Sequence, residues 1–153
     1  MAFSIRRAEP GDREALNDIW WRSAFATHGF LSESELEALR PEVRALGLES
    51  LDTWVLCASE RAVGFLVMSG REVDALFIAP EWLRRGGGGQ LLRHARAVSG
   101  AEALTVQVNE LNVDALRFYL ASGFAVVGRT DTDQAGRPYP LLQMAERAPV
   151  DSR

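Results

Sequence analysis

Apolar and polar positions alternate along this chain with two periods, one of two residues and one of three to four, and each switch between them marks an element boundary. Phe3 and Ile5 alternate with polar neighbours as a first strand, placed at a sheet edge, and Pro10-Gly11-Asp12 breaks it and caps a helix. Over residues 13 to about 28, Leu16, Ile19, Trp20, Ser23 and Ala24 recur at helical spacing, with Trp21 and Phe25 widening the stripe. Ser32 and Glu35 read as a capping box for a second helix through Leu36, Leu39 and Val43, in which Pro41 predicts a kink or a split and Gly47 the end.

Two apolar runs, 51–58 and 62–69, parted by Ser59-Glu60-Arg61, predict an antiparallel hairpin. The mostly apolar run 73–78 predicts a core strand closed by Pro80. Leu91, Leu92, Ala95 and Val98 then return to helical spacing. Beyond them the pattern predicts a strand over 104–108, a helix over 112–122, a strand over 125–128, a polar hairpin loop over 131–137 and a last strand near 141–144.

Between the core strand and the helix after it lies the stretch of most chemical interest, Leu83-Arg84-Arg85 followed by Gly86, Gly87, Gly88 and Gly89. Glycines there let a ligand approach backbone N–H groups, and a helix N-terminus adds unpaired donors and the positive end of its dipole, which favours a phosphate or pyrophosphate. Arg84 and Arg85 supply matching charge. No Lys-Ser or Lys-Thr follows the glycines, as a P-loop needs, and a dinucleotide fold would want further parallel βα units, so a different nucleotide-bearing cofactor is implied.

This stretch resembles the acetyl-CoA pyrophosphate loop of the GNAT acetyltransferases, whose pattern of a polar residue followed by x-x-G-x-G falls on Leu83, Gly86 and Gly88. Shifted by one residue, it falls on Arg84, Gly87 and Gly89. Residues 108–124 resemble the family's second signature, with Asn112 opening a helix, Tyr119 two turns later, and Gly123-Phe124. Together with ATHGFL and the segment 128–142, the likeness to a small bacterial branch of the family covers about residues 4–145.

The resemblance implies an α/β single domain over 1–148 with a short tail over 149–153. It implies a mixed, mostly antiparallel twisted sheet, helices on both faces, and a splay beside the core strand for pantetheine. It also implies an acetyl-CoA-dependent N-acetyltransferase working by direct amine attack, with Tyr119 as the acid for the leaving thiolate. Leu76, Phe77, Ile78, Arg84, Arg85, Gly86 to Gly89 and Asn112 would hold the cofactor, and backbone N–H of Phe77 or Ile78 would face the thioester carbonyl. His28, Arg137 and Tyr139 fall on the acceptor side. A primary amine, of a protein lysine or a small molecule, is the expected acceptor.

An attacking amine with a pKa of about 10.4 must first lose a proton. Some protein-acetylating members of the family carry a glutamate where this chain has Gln107, which cannot act as a base. Asp74, Glu110 and His28 are the remaining candidates, and without an efficient base a non-catalytic acyl-CoA binding module is the rival reading. His94 is expected on an exposed helix face, and the four tryptophans as packing residues.

Length and composition narrow the field further. A chain of 153 residues, 47% apolar and 25% charged, supports one globular core. A net charge of −4 gives no general attraction to nucleic acid or anionic lipid. The single Cys57 forms no internal disulfide and sits in an apolar run, and two distant histidines make no metal site. No apolar stretch reaches spanning length and the N-terminus turns charged early. A cytoplasmic monomer or homodimer, with no metal, membrane or nucleic-acid partner, is the expectation.

Overall fold

The computed structural model describes residues 2–27, 29, 31–100 and 103–147. The chain order is β1 (Phe3–Arg7), α1 (Arg13–Thr27), α2 (Glu33–Leu46), β2 (Thr53–Ala58), β3 (Arg61–Ser69), β4 (Glu72–Ile78), α3 (Gly87–Ser99), β5 (Thr105–Asn109), α4 (Val113–Ala121), β6 (Phe124–Thr130) and β7 (Leu141–Glu146). The strands form one sheet in the order β1-β2-β3-β4-β5-β7-β6, antiparallel except where β4 meets β5. The expected mixed, mostly antiparallel α/β architecture is therefore present, with β1 at one edge.

Two cores lie on opposite faces of this sheet. On one, Leu91, Leu92 and Ala95 of α3 and Tyr119 of α4 pack on Leu56, Leu66, Val106 and Met144. On the other, Leu16 and Ile19 of α1 pack on Val55, Cys57, Phe65 and Val67. β3, covered on both faces, buries six consecutive residues, Val63 to Met68, as a sandwiched strand must. Removing a fully buried leucine such as Leu91 to alanine should cost about 2–5 kcal/mol.

The local signals behave mostly as the sequence indicates. Ser32 accepts a bond from the Glu35 N–H while the Glu35 side chain takes the Ser32 N–H, and Gly47 ends α2 in the left-handed conformation. Of the kink or split expected at Pro41, the split does not occur, since α2 is one helix with Pro41 inside it. In the first hairpin, Arg61 belongs to β3 rather than the turn, and Ser59 takes the left-handed φ of 56° that the tight connection needs. No helix among the described residues is long and apolar enough to cross a membrane.

The feature that shapes the site is the short β4–β5 contact. Only Glu72↔Thr105 and Val73↔Val106 pair, after which the two parallel strands diverge. On its other edge β4 pairs Val73 with Met68 and Ala75 with Val67, leaving Asp74 as the extra residue of a bulge. A bulge bends its strand, and this one falls just past the last β4–β5 rung.

Candidate active site

The divergence opens a cleft of about 640 Å³ between β4 with the start of α3 on one side and β5 with α4 on the other. Along the β4 wall, the Ala79 N–H donates to Val63 O at 2.8 Å. Bonds of an antiparallel ladder recur at alternate residues, so the Phe77 and Ala75 N–H groups also turn toward β3. By the same register the N–H groups of Leu76 and Ile78 turn toward the gap. Of the two backbone donors expected for the thioester carbonyl, Ile78 thus faces the cleft, Phe77 does not, and Leu76 joins instead. Ser23 of α1 donates to Ile78 O at 2.7 Å, fixing that end of the wall.

At the mouth, Arg84 sits at φ 63° and Gly86 at φ 88°, which turns the chain directly into α3. Gly86 needs its missing Cβ for that φ. Gly88 needs it for space, since a Cβ there would lie 2.9 Å from the Phe118 ring of α4. At Gly89 an added Cβ would meet only the Arg93 guanidinium, at 3.9 Å. At Gly87 an added Cβ would lie 2.7 Å from the buried Leu56 side chain, so the conformational and packing demands fall on positions 86, 87 and 88 and not on 89. Gly86 to Gly89 and Arg84 all line the cleft. Arg85 does not. Its guanidinium lies 4.9 Å from the centre of the Trp82 ring.

Tyr119 reaches the cleft from α4 and is only 6% exposed, gripped edge-on by Phe118 and Phe124. Burial disfavours the phenolate and holds its pKa well above the usual tyrosine value. The hydroxyl is therefore a proton donor at any ordinary pH. Asn112 caps α4, its Oδ1 accepting from the Ala115 N–H at 3.2 Å, and also lines the cleft. Asp74, exposed at the bulge, lines the cleft and accepts a hydrogen bond from Ser69.

The other base candidates fare differently. Glu110 takes a two-pronged contact from Arg129, at 2.9 and 3.1 Å, which keeps its carboxyl below the usual range, and it does not line the cleft. His28 lies outside the described residues, as does the tail over 149–153. Arg137 and Tyr139 lie away from the cleft lining. Arg137 bonds Glu42 at 3.1 Å and Tyr139 bonds Glu35, so both tie the β6–β7 loop to α2.

His94, expected on an exposed face, instead packs edge-on against Trp54 with ring centres 4.3 Å apart, and this burial lowers its pKa. Cys57 is a buried core residue. Among the described residues there is no group of three His, Cys, Asp or Glu able to hold a metal.

The cleft lining also includes polar residues that the sequence did not assign to it, among them Gln107 and Asn109 of β5, and Asp114 and Arg117 of α4. Helical spacing could have found the last two, which stand three residues apart on the face beside that of Asn112 and Tyr119. The donors at the start of α3, Arg84 and Arg117 among the lining residues, and the apolar walls match a long molecule with a phosphorylated end.

A family model described as acetyltransferase (GNAT) domain matches residues 49–126. Over 146 residues, 95% of this chain and 97% of its relative, the sequence is 43% identical to the peptidyl-lysine N-acetyltransferase YjaB of Escherichia coli strain K12. The solution structure of apo-form YjaB from Escherichia coli matches at a TM-score of 0.88 and 40% identity, over 97% of this chain and 100% of that one. The PaiA N-acetyltransferase of Thermoplasma acidophilum, solved in complex with coenzyme A, shares the fold at a TM-score of 0.75 and 22% identity, over 96% and 99% of the two chains.

Proposed function

This chain belongs to the GNAT family and is an acetyl-CoA-dependent N-acetyltransferase, and from that premise we propose that its acceptor is the side-chain amine of a lysine in a peptide or protein. The observation that carries the catalytic reading is the loss of β4–β5 pairing after Val73↔Val106, which leaves strand-edge donors facing a cleft that ends at a glycine-lined helix start. The acceptor reading is supported by 43% identity to a peptidyl-lysine N-acetyltransferase across 95% of the chain.

In this reading the N–H groups of Leu76 and Ile78 hold the acylated arm as an added half-strand and orient the thioester carbonyl. The N–H groups that open α3, with Arg84 across the mouth, take the pyrophosphate. Asp74 or a water it holds takes the proton of the acceptor ammonium. As the new N–C bond forms and the C–S bond breaks, Tyr119 gives its proton to the departing sulfur, and the second proton shed by the nitrogen passes through solvent to restore the Tyr119 hydroxyl. Holding both partners in one cleft supplies the rest, and no covalent enzyme intermediate is needed.

The experiment is incubation with acetyl-CoA and a lysine-containing peptide, reading free thiol and peptide mass together. One acetyl group added per thiol released is the expected result. Thiol release with polyamines or aminoglycosides but never with lysine peptides would overturn the acceptor assignment and leave the transferase assignment intact.

A further inference from the structure

The second core, on the α1 face, takes no residue from β5, β6 or β7 among the described residues. Val106 and Val108 of β5, and Leu142 and Met144 of β7, all turn to the first core. Alternation then puts Gln107 and Gln143 on the α1 face, where no helix covers them. Both are half-buried, and Gln107 lines the cleft. The β6–β7 loop arcs from this half of the sheet to α2 through Arg137–Glu42 and Tyr139–Glu35. The result is a polar stretch of sheet that opens into the cleft at Gln107, with the β6–β7 loop tied across to α2.

A hydrogen-bonded row crosses this stretch. Gln143 Nε2 donates to Gln107 Oε1 at 3.5 Å, and Gln107 Nε2 donates to Glu72 Oε2 at 3.2 Å. An ionised carboxylate only accepts, so Glu72 fixes which end of the Gln107 amide points at it. The carboxamide oxygen is thereby turned away from Glu72, and one of its two lone pairs remains for a ligand.

We propose that Gln107 is the acceptor-docking residue of this transferase, its carboxamide oxygen accepting an N–H of the incoming amine so that the nitrogen lone pair faces the thioester. Glu72 is a positioning residue, which locks the amide from behind without touching the acceptor. Gln107 takes no proton, so deprotonation stays with Asp74 or solvent, and the row polarises toward Glu72, which strengthens each bond in it. The acidic end of the row also favours a cationic chain over an acidic one, as a lysine side chain requires.

This inference rests on the acetyl-CoA reading, and the test separates the two. Steady-state kinetics would use acetyl-CoA and an Nα-blocked lysine peptide, with calorimetric binding of acetyl-CoA in parallel. Gln107→Leu is expected to raise the peptide KM by roughly fivefold to tenfold, the worth of one hydrogen bond, while acetyl-CoA affinity stays within about twofold. Glu72→Gln should raise the same KM by a smaller factor. The exchanged pair, Glu72→Gln with Gln107→Glu, restores a donor behind an oxygen and should bring the peptide KM back toward that of the wild type. A peptide KM unchanged in Gln107→Leu, an equal weakening of peptide and acetyl-CoA, or an exchanged pair no better than Gln107→Leu would overturn the proposal. A wild type that binds no acetyl-CoA would instead overturn the reading beneath it.

Discussion

Val73 and Val106 form the last rung between β4 and β5, and the cleft exists because no rung follows. Continued pairing would consume the edge groups of Leu76 and Ile78 and bring Asn109 close to β4. The Asp74 bulge supplies the bend, while Ser23 and the β3 ladder hold β4 straight enough for its free edge to stay presented. A parallel pair that opens after two residues would be a defect in a structural sheet, since exposed strand edges invite mispairing. Here the open edge is shielded inside a cleft and is the binding surface.

Replacing Tyr119 by phenylalanine removes one hydroxyl from a buried, aromatic-lined position and leaves the packing with Phe118 and Phe124 in place. The expected outcome is a fall in kcat of about 10²-fold or more with acetyl-CoA affinity unchanged. Because the folded-state pKa of Tyr119 is raised, its contribution to stability is fully present below the unfolded value near 10 and is lost as pH rises beyond it. Unfolding curves at pH 8 and pH 11 should therefore show a larger alkaline loss in the wild type than in Tyr119→Phe. An alkaline limb of kcat well below pH 10 would have to come from another group.

The glycine run offers a graded test. Gly86→Ala puts a side chain at φ 88° and should cost about 1–3 kcal/mol. Gly88→Ala drives a methyl group against Phe118 and should displace α4 from the cleft wall, weakening acetyl-CoA binding by roughly tenfold. Gly89→Ala meets open space and should stabilise the helix by up to about 1 kcal/mol. Melting temperatures and acetyl-CoA titrations of the three variants check this order. Equal damage at 88 and 89 would favour the register shifted by one residue.

Three arginines near the mouth should separate by their surroundings. Arg84 and Arg117 line the cleft from opposite walls, whereas Arg85 stacks on Trp82. Arg84→Gln or Arg117→Gln should weaken acetyl-CoA binding by about tenfold, with a shallower salt dependence, as loss of a charge-assisted phosphate contact does. Arg85→Gln should change it by less than about threefold. Titrations at low and high salt distinguish the three.

Most of the fold can be read along the chain because its signals are local. The Ser32–Glu35 box, the αL stop at Gly47 and the stripe of Leu16, Ile19 and Ala24 each lie within a few residues, and each became the element it predicts. Gly86 and Tyr119 were legible for the same reason, together with the family likeness. What local pattern could not carry was pairing across distance. The divergence of β4 from β5 depends on residues some thirty positions apart, and the row from Glu72 through Gln107 to Gln143 spans three strands. The docking of Arg137 and Tyr139 on α2 likewise depends on where a distant helix lies. His94 misled because helical spacing says which face a residue is on, not that Trp54 lies under it.

The measurement closest to the central claim is acetyl-CoA binding by the wild type, followed by calorimetry and thermal unfolding. The cleft beside β4 predicts one site per chain, with about 2.7 kcal/mol of added stability at a hundredfold excess over the dissociation constant, and retention of that binding in Tyr119→Phe. Failure of acetyl-CoA to bind or stabilise the protein would contradict the account.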